Sequence, residues 1–381
     1  MPNLFIFLFF FCITNIYAQK KYKTIDSETK EVISNVTITT NDRQIYYTNT
    51  DGEVLIPEHV TTFTVTSALY ESYLVNSNQK ETIIELNPKV KEIAEVIISK
   101  KYSLYQITQS VMENYDKLYY SEPVIYNAKL MQKTYFDNKI NHLFIADIDL
   151  WEKDGSYKLG LSGAMANPKK FLQISFDKIK YFRTKMVDKS LGNDVQFRTF
   201  NRLLFFNFNL AFAFKYTNEN SYTSTYEKIS NDELLIKFKS GYLEKQKAAI
   251  TGELIYNTQT KAITYLKWTA DQNLEGNTKS SSKVHSSQFS SEFQLSRYQD
   301  KYIPNVLQYA SGGYITDEKN IKMHTYSAEG SVQFGKLTPS TDKGLDNALD
   351  LTKPLTSNIQ SNVSNLSEVL LSKEEQKFID E

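Results

Sequence analysis

The sequence predicts a mainly β protein. A seven-stranded N-terminal sandwich is followed by a larger antiparallel, curved-sheet domain with a few helices. Short runs rich in Val, Ile, Thr and Tyr recur along the chain with polar turns between them, which is the pattern of half-buried strands. Aromatic residues make up 13% of the 381 positions, while Gly 13 and Pro 8 are about half their usual share. That composition supplies the packing groups a sheet needs and excludes collagen-like or glycine-linker architectures. Lys+Arg and Asp+Glu balance at 44 each, so the basic excess of a nucleic-acid-binding platform is missing.

Residues 1–18 read as a secretory signal peptide. Leu4 to Ile13 is an uncharged, mostly Leu/Phe run, and Ala18 is a small residue at the cut site. Lys20 and Lys21 follow too soon for a membrane span, though an uncleaved anchor is the alternative. Cys12, the only cysteine, lies inside this segment. The mature chain is therefore expected to have no disulfide, thiolate site or catalytic thiol. Export to the periplasm, or to the periplasmic or outer face of the outer membrane, follows as an expectation.

The first domain spans 19–100. Its strand-like runs are Val32–Thr39, Arg43–Thr48, Glu53–Ile56, Thr61–Ser67, Ser72–Val75, Thr82–Leu86 and Ala94–Ser99. Asp51-Gly52 tolerates positive φ and predicts a hairpin between Thr48 and Glu53. Pro88 closes the strand at Leu86, because proline cannot donate to a ladder.

The second domain, 101–338, opens with a helix over Ser103–Tyr119. Leu104, Ile107, Val111, Tyr115 and Leu118 share one face, Ser103 caps the start and Pro123 forbids continuation. Strands are predicted at Val124–Phe136, Lys139–Trp151, Tyr222–Ile229, Glu233–Lys239, Ala248–Tyr256, Ala262–Thr269, Gln288–Tyr298, Tyr302–Tyr309 and Ile321–Phe334. A second helix is predicted between Asn167 and Gly192, with Pro168 at its first position and Leu172, Phe176, Ile179 and Met186 on one face. Residues 339–381 read as a loose polar tail with a short helix at Glu368–Ile379.

The stretches Asp26–Ile38, Thr50–Ile56, Val65–Tyr70, Ile83–Pro88 and Ile93–Ile98 resemble the carboxypeptidase-regulatory-like, or transthyretin-like, module of exported Gram-negative proteins. The resemblance implies a non-catalytic sandwich of the kind found at the amino ends of outer-membrane receptors. The zinc peptidase itself is absent from the sequence. No His is followed three positions later by Glu; Thr62, Ile145, Gln288 and Ser327 stand there instead. The second domain is more faintly similar to the pre-barrel segment of uncharacterised outer-membrane proteins. The shared features are a helix reaching Asn114-Tyr115 and a Thr-Gly-x-Leu-x-Tyr hairpin at Thr251–Tyr256. That hairpin also resembles curved-sheet lipoprotein carriers. The carboxyl end, KFIDE, lacks the terminal aromatic strand of a barrel.

Candidate chemistry is sparse. Asp147 and Asp149 share a strand face and could serve acid/base work or hold a metal, but a solvated strand face accounts for them more simply. Ser175-x-x-Lys178 has an acyl-transferase spacing without its partner motifs. The His residues show no i, i+4 pair, and no Lys-Ser/Thr follows Gly160 and Gly163. No catalytic, cofactor or metal residue is expected. Lys169, Lys170, Lys178, Arg183 and Lys185 on the second helix could meet an anionic membrane or a partner. A helix that covers the sheet with solvated lysines is the favoured alternative. Leu204, Phe206, Phe208, Leu210 and Phe212 alternate in the run Leu203–Phe214, read as a strand that is plain core or lines an apolar cavity. The leading expectation is a non-enzymatic envelope protein that binds or scaffolds, with an envelope protein partner. The alternative is a carrier sheltering a lipid or hydrophobic peptide.

Overall fold

The computed structural model describes residues 19–78, 82–89, 103–153, 170–185, 204–272, 284–317, 319, 321–341, 343–351, 355–359, 361–365 and 369–381. The leader with Cys12, the strand at Ala94–Ser99, and Asn167, Pro168, Lys169, Met186, Gly192 and Leu203 lie outside the described residues. The chain is mainly β and divides into two compact units, residues 1–89 with 370–381, and residues 90–369.

The first unit is a sandwich of seven described strands: β1 (Gln19–Asp26), β2 (Thr37–Thr40), β3 (Ile45–Tyr47), β4 (Glu53–Pro57), β5 (Thr62–Thr66), β6 (Tyr73–Asn76) and β7 (Ile83–Leu86). One sheet has the order β4-β1-β7, the other β3-β2-β5-β6. β1 was not expected. It alternates Tyr22, Thr24 and Asp26 inward and pairs antiparallel with β4 and parallel with β7. Between the sheets lie Tyr22, Val36, Ile38, Val54, Ile56, Phe63, Val65, Ile84 and Leu86, with the Tyr22 ring edge-on to Phe63 at 5.1 Å. Asp51-Gly52 does not make a hairpin, because β3 and β4 belong to different sheets. It is the turn that carries the chain across the sandwich. Gly52 sits at φ +72°, donates to Asn49 O, and would place a Cβ 2.8 Å from Thr24 O.

The second unit is one antiparallel sheet of eleven described strands. They are β8 (Val124–Phe136), β9 (Lys139–Glu152), β10 (Leu172–Thr184), β11 (Tyr222–Lys228), β12 (Glu233–Leu243), β13 (Ala248–Asn257), β14 (Ala262–Asp271), β15 (Val284–Tyr298), β16 (Lys301–Thr316), β17 (Lys322–Pro339) and β18 (Val363–Ser364). The order is β11-β12-β13-β14-β15-β16-β17-β8-β9-β10-β18. Consecutive strands are neighbours from β11 to β17, as short hairpin connections favour. β8 then pairs with β17, bringing the first hairpin of the unit beside the last long strand.

The face of this sheet that carries alternate apolar residues is covered by helices. α1 (Leu104–Glu113) starts at the Ser103 cap and buries Leu104, Ile107, Val111 and Met112. The predicted helix over 103–119 is broken at Asn114, after which a short α2 (Tyr115–Leu118) continues. α3 (Phe206–Phe214) lies in the run expected to be a strand. Within the helix predicted across 167–192, Leu172–Thr184 is instead the strand β10. Two bulges in its pairing with β9, at Phe176/Lys178 and Ile179/Tyr181, add an extra residue each. Residues paired to the buried row of β9 therefore fall at 172, 174, 176, 179 and 182. A strand with two bulges thus counterfeits helical spacing.

The stretch read as a loose tail takes part in both units. Leu349 N donates to Ile174 O and β18 pairs with Tyr181 and Phe182, so two pieces of chain cover the β10 edge. The last helix, α4 (Lys373–Asp380), begins at Ser372 with a complete capping box. It joins the first unit. Asp51 Oδ2 accepts from Lys373 N at 2.8 Å, and Asn49 Nδ2 donates to Leu371 O at 3.2 Å.

Candidate functional site: a sheet face plugged by an apolar helix

α3 reads Phe-Asn-Phe-Asn-Leu-Ala-Phe-Ala-Phe and is apolar around its circumference, as helices enclosed by protein are. Of the predicted cavity residues, Leu204, Phe206 and Leu210 are buried, while Phe208 and Phe212 are half-buried. Leu204, Phe206 and Leu210 belong to the apolar core of the second unit, and Phe208 and Phe212 pack against it. Phe206 packs 5.1 Å from Tyr119 and 5.4 Å from Phe293. Phe214 packs edge-on to Phe238 at 5.2 Å, and Phe212 stacks on Trp268 at 4.8 Å. Gly252 makes room for this layer: a Cβ there would fall 2.6 Å from the Phe238 ring and 2.3 Å from Lys267 O.

Polar groups hold the helix in place. The two asparagines that interrupt the apolar run are both buried. Asn209 donates to Phe205 O at 2.7 Å and accepts from Trp268 Nε1 at 3.3 Å. Beyond Ala211 O, which accepts from Lys215 N, the last carbonyls are met by side chains, Thr217 Oγ1 donating to Phe214 O at 2.7 Å among them. Gln246 Nε2 donates to Phe212 O at 3.2 Å, Tyr222 Oη to Ala213 O at 2.6 Å and Gln109 Nε2 to Phe214 O at 3.2 Å. Tyr119 anchors the opposite end of the layer, donating to Ile263 O and accepting from Ile263 N. Burial pushes the phenols of Tyr119 and Tyr222 well above the ordinary tyrosine range, so both stay neutral donors. These anchors were not expected from the sequence. The run carried no local signal for them, since Asn207 and Asn209 alternate with apolar residues as in a strand.

Beside this plug a pocket of about 130 Å³ lies between the start of α1 and β11, lined by Ser103, Thr108, Glu219, Tyr222, Ser224 and Tyr226 among others. It is polar-rimmed and smaller than the roughly 300–1,000 Å³ of ordinary ligand pockets.

The basic residues do not form a helical face. Lys170 is exposed, while Lys178, Arg183 and Lys185 are half-buried on or just beyond β10. Lys180 is buried and pairs with Asp147 at 2.8 Å. Asp147 and Asp149 do share a face, and Asn127 donates to Asp149. The bulge at Asp177 returns Ser175 and Lys178 to one strand face, opposite Asp149 and Asp147, but the helical turn that an acyl-transfer Ser-Lys pair uses is gone. His142 contacts Thr184, His285 contacts Thr316, and His324 pairs with Asp137. Among the described residues no three His, Cys, Asp or Glu converge as a metal site, and no helix is long and apolar enough to cross a membrane.

No family model matches the chain, and no curated protein matches it. Among the solved structures that overlap parts of it weakly are two examples. A DUF1329 family protein from Desulfovibrio piger has a TM-score of 0.30 and 8% identity, with 64% of this chain and 96% of that chain covered. A domain from Vibrio parahaemolyticus, described as an outer membrane lipoprotein-sorting protein, has a TM-score of 0.27 and 9% identity over 64% and 93%. Overlaps at this level carry no argument about function.

Proposed function

We propose that this chain is a non-enzymatic protein of the cell envelope that binds or scaffolds through its surfaces. Its first unit would serve as a transthyretin-like module. The reading rests on the leader pattern, on the resemblance of residues 26–98, and above all on one structural observation. The sheet face that could shelter an acyl chain is occupied by α3, whose final carbonyls are bound by Gln109, Tyr222 and Gln246. A carrier would have to break those part-buried bonds and expose a largely apolar helix before taking up its cargo, at a cost of about 0.5–1.5 kcal/mol for each bond lost.

The test is native mass spectrometry of the full chain, expressed with its leader in a Gram-negative host and isolated from the envelope fraction. The expected species begins at Gln19, carries no lipid and is recovered with an envelope protein. Co-purifying lipid would replace this reading with the carrier. Recovery from the cytosol with residues 1–18 intact would remove the envelope assignment.

A further inference from the structure

The two edges of the large sheet are treated differently. The β10 edge is covered by Leu349 and β18. The β11 edge has no strand beside it among the described residues. β11 also lacks the usual protections of an edge. It has no proline, its pairing with β12 is regular over all seven residues, and its only charges, Glu227 and Lys228, stand at one end. Thr223 and Thr225 are exposed.

The sequence of this edge is a palindrome. Tyr222-Thr223-Ser224-Thr225-Tyr226 reads the same in both directions about Ser224. Two antiparallel strands related by a two-fold axis need that property, because each residue then meets its own mirror position. With Ser224 on the axis, Tyr222 faces Tyr226, Thr223 faces Thr225 and Ser224 faces Ser224 of the second copy. Aromatic pairs and Thr/Ser pairs are the favourable cross-strand neighbours of antiparallel sheets. The same register sets Glu227 against Ser221 and Lys228 against Asn220, so no like charges oppose.

We propose that β11 is a homodimer interface, at which two copies of this chain join their sheets edge to edge about Ser224. The partner is a second copy and not an arbitrary extended peptide, since only the former explains the symmetric side-chain row. The pairing leaves α3 and its anchors in place, so it stands whether or not the envelope reading holds.

The test is a charge exchange at the exposed threonines, read by sedimentation equilibrium over a range of concentrations. The unaltered protein is expected to reach the mass of two chains. Thr223→Lys with Thr225→Lys places lysine against lysine and is expected to leave one chain, as is Thr223→Glu with Thr225→Glu. Mixing the two variants is expected to restore a two-chain species made of one copy of each, which a misfolded variant could not do. A monomer at every concentration for the unaltered protein, a dimer that survives either charge variant, or a mixture that stays monomeric would overturn the proposal.

Discussion

His142 is an imidazole held where its charge is unaffordable. It is buried at the end of β9, its Nδ1 lies 2.8 Å from Thr184 Oγ1, and the Phe182 ring stands edge-on at 5.7 Å. Burial pulls its pKa from 6.5 down to about 4. The native state therefore stays unprotonated in a window where the unfolded chain takes up a proton. Stability from this group is complete above pH 6.5 and is lost as pH falls towards about 4, where the loss levels off. The gap corresponds to on the order of 3 kcal/mol. His142→Leu is expected to flatten this part of the pH dependence. Urea unfolding of both proteins at a series of pH values checks it, and parallel curves for the two would contradict the assignment.

At the scale of elements, β9 and β10 are coupled by the Lys180–Asp147 pair. Lys180 is 5% exposed, and the second carboxylate oxygen of Asp147 is buried without a hydrogen-bond partner. Such a pair adds little net stability, but removing one member strands the other. Asp147→Ala is expected to cost about 2–3 kcal/mol, below the fully buried range because Asp147 keeps some solvent contact. Adding Lys180→Met should recover most of that loss. Chemical denaturation of the single and double variants measures the difference, and an equally destabilised double variant would show that the ion pair is not the cause. The β9–β10 hairpin also shows why element type was partly illegible. Leu172, Phe176 and Ile179 fit a helix face, but two bulges generate the same intervals in a strand. The reverse error occurred at α3. Phe206, Phe208, Leu210, Phe212 and Phe214 alternate as a strand would, yet an enclosed helix accepts apolar groups at every position, so alternation there carries no information.

For the molecule as a whole, α4 closes the first unit with residues from the far end of the chain. Ser372 and Glu375 are buried in a reciprocal cap, and Asp51 binds the first helical N–H where the helix dipole favours a carboxylate. Deleting residues 370–381 is expected to lower the melting of the first unit by several degrees and to leave that of the second unchanged. Calorimetry of the full chain and the truncated chain reads both. A truncated protein whose first unit melts as before would show that α4 is ornamental to the sandwich.

Much of the architecture was written locally. The strands from β11 to β17 and the β8–β9 hairpin follow from alternation and turn residues, and α1 from its Ser103 cap and apolar spacing. Those signals act between near neighbours, so composition and order suffice to express them. Three decisions needed the assembled protein: that β1 completes the first sandwich through a basic stretch, that Asp51-Gly52 crosses between sheets and does not fold a hairpin, and that α3 plugs the sheet face. Each depends on which distant surface a segment meets, as when Gln246 and Tyr222 supply partners for the end of α3. Burial against remote partners outweighs local preference by several kcal/mol, and one-dimensional spacing does not reveal it.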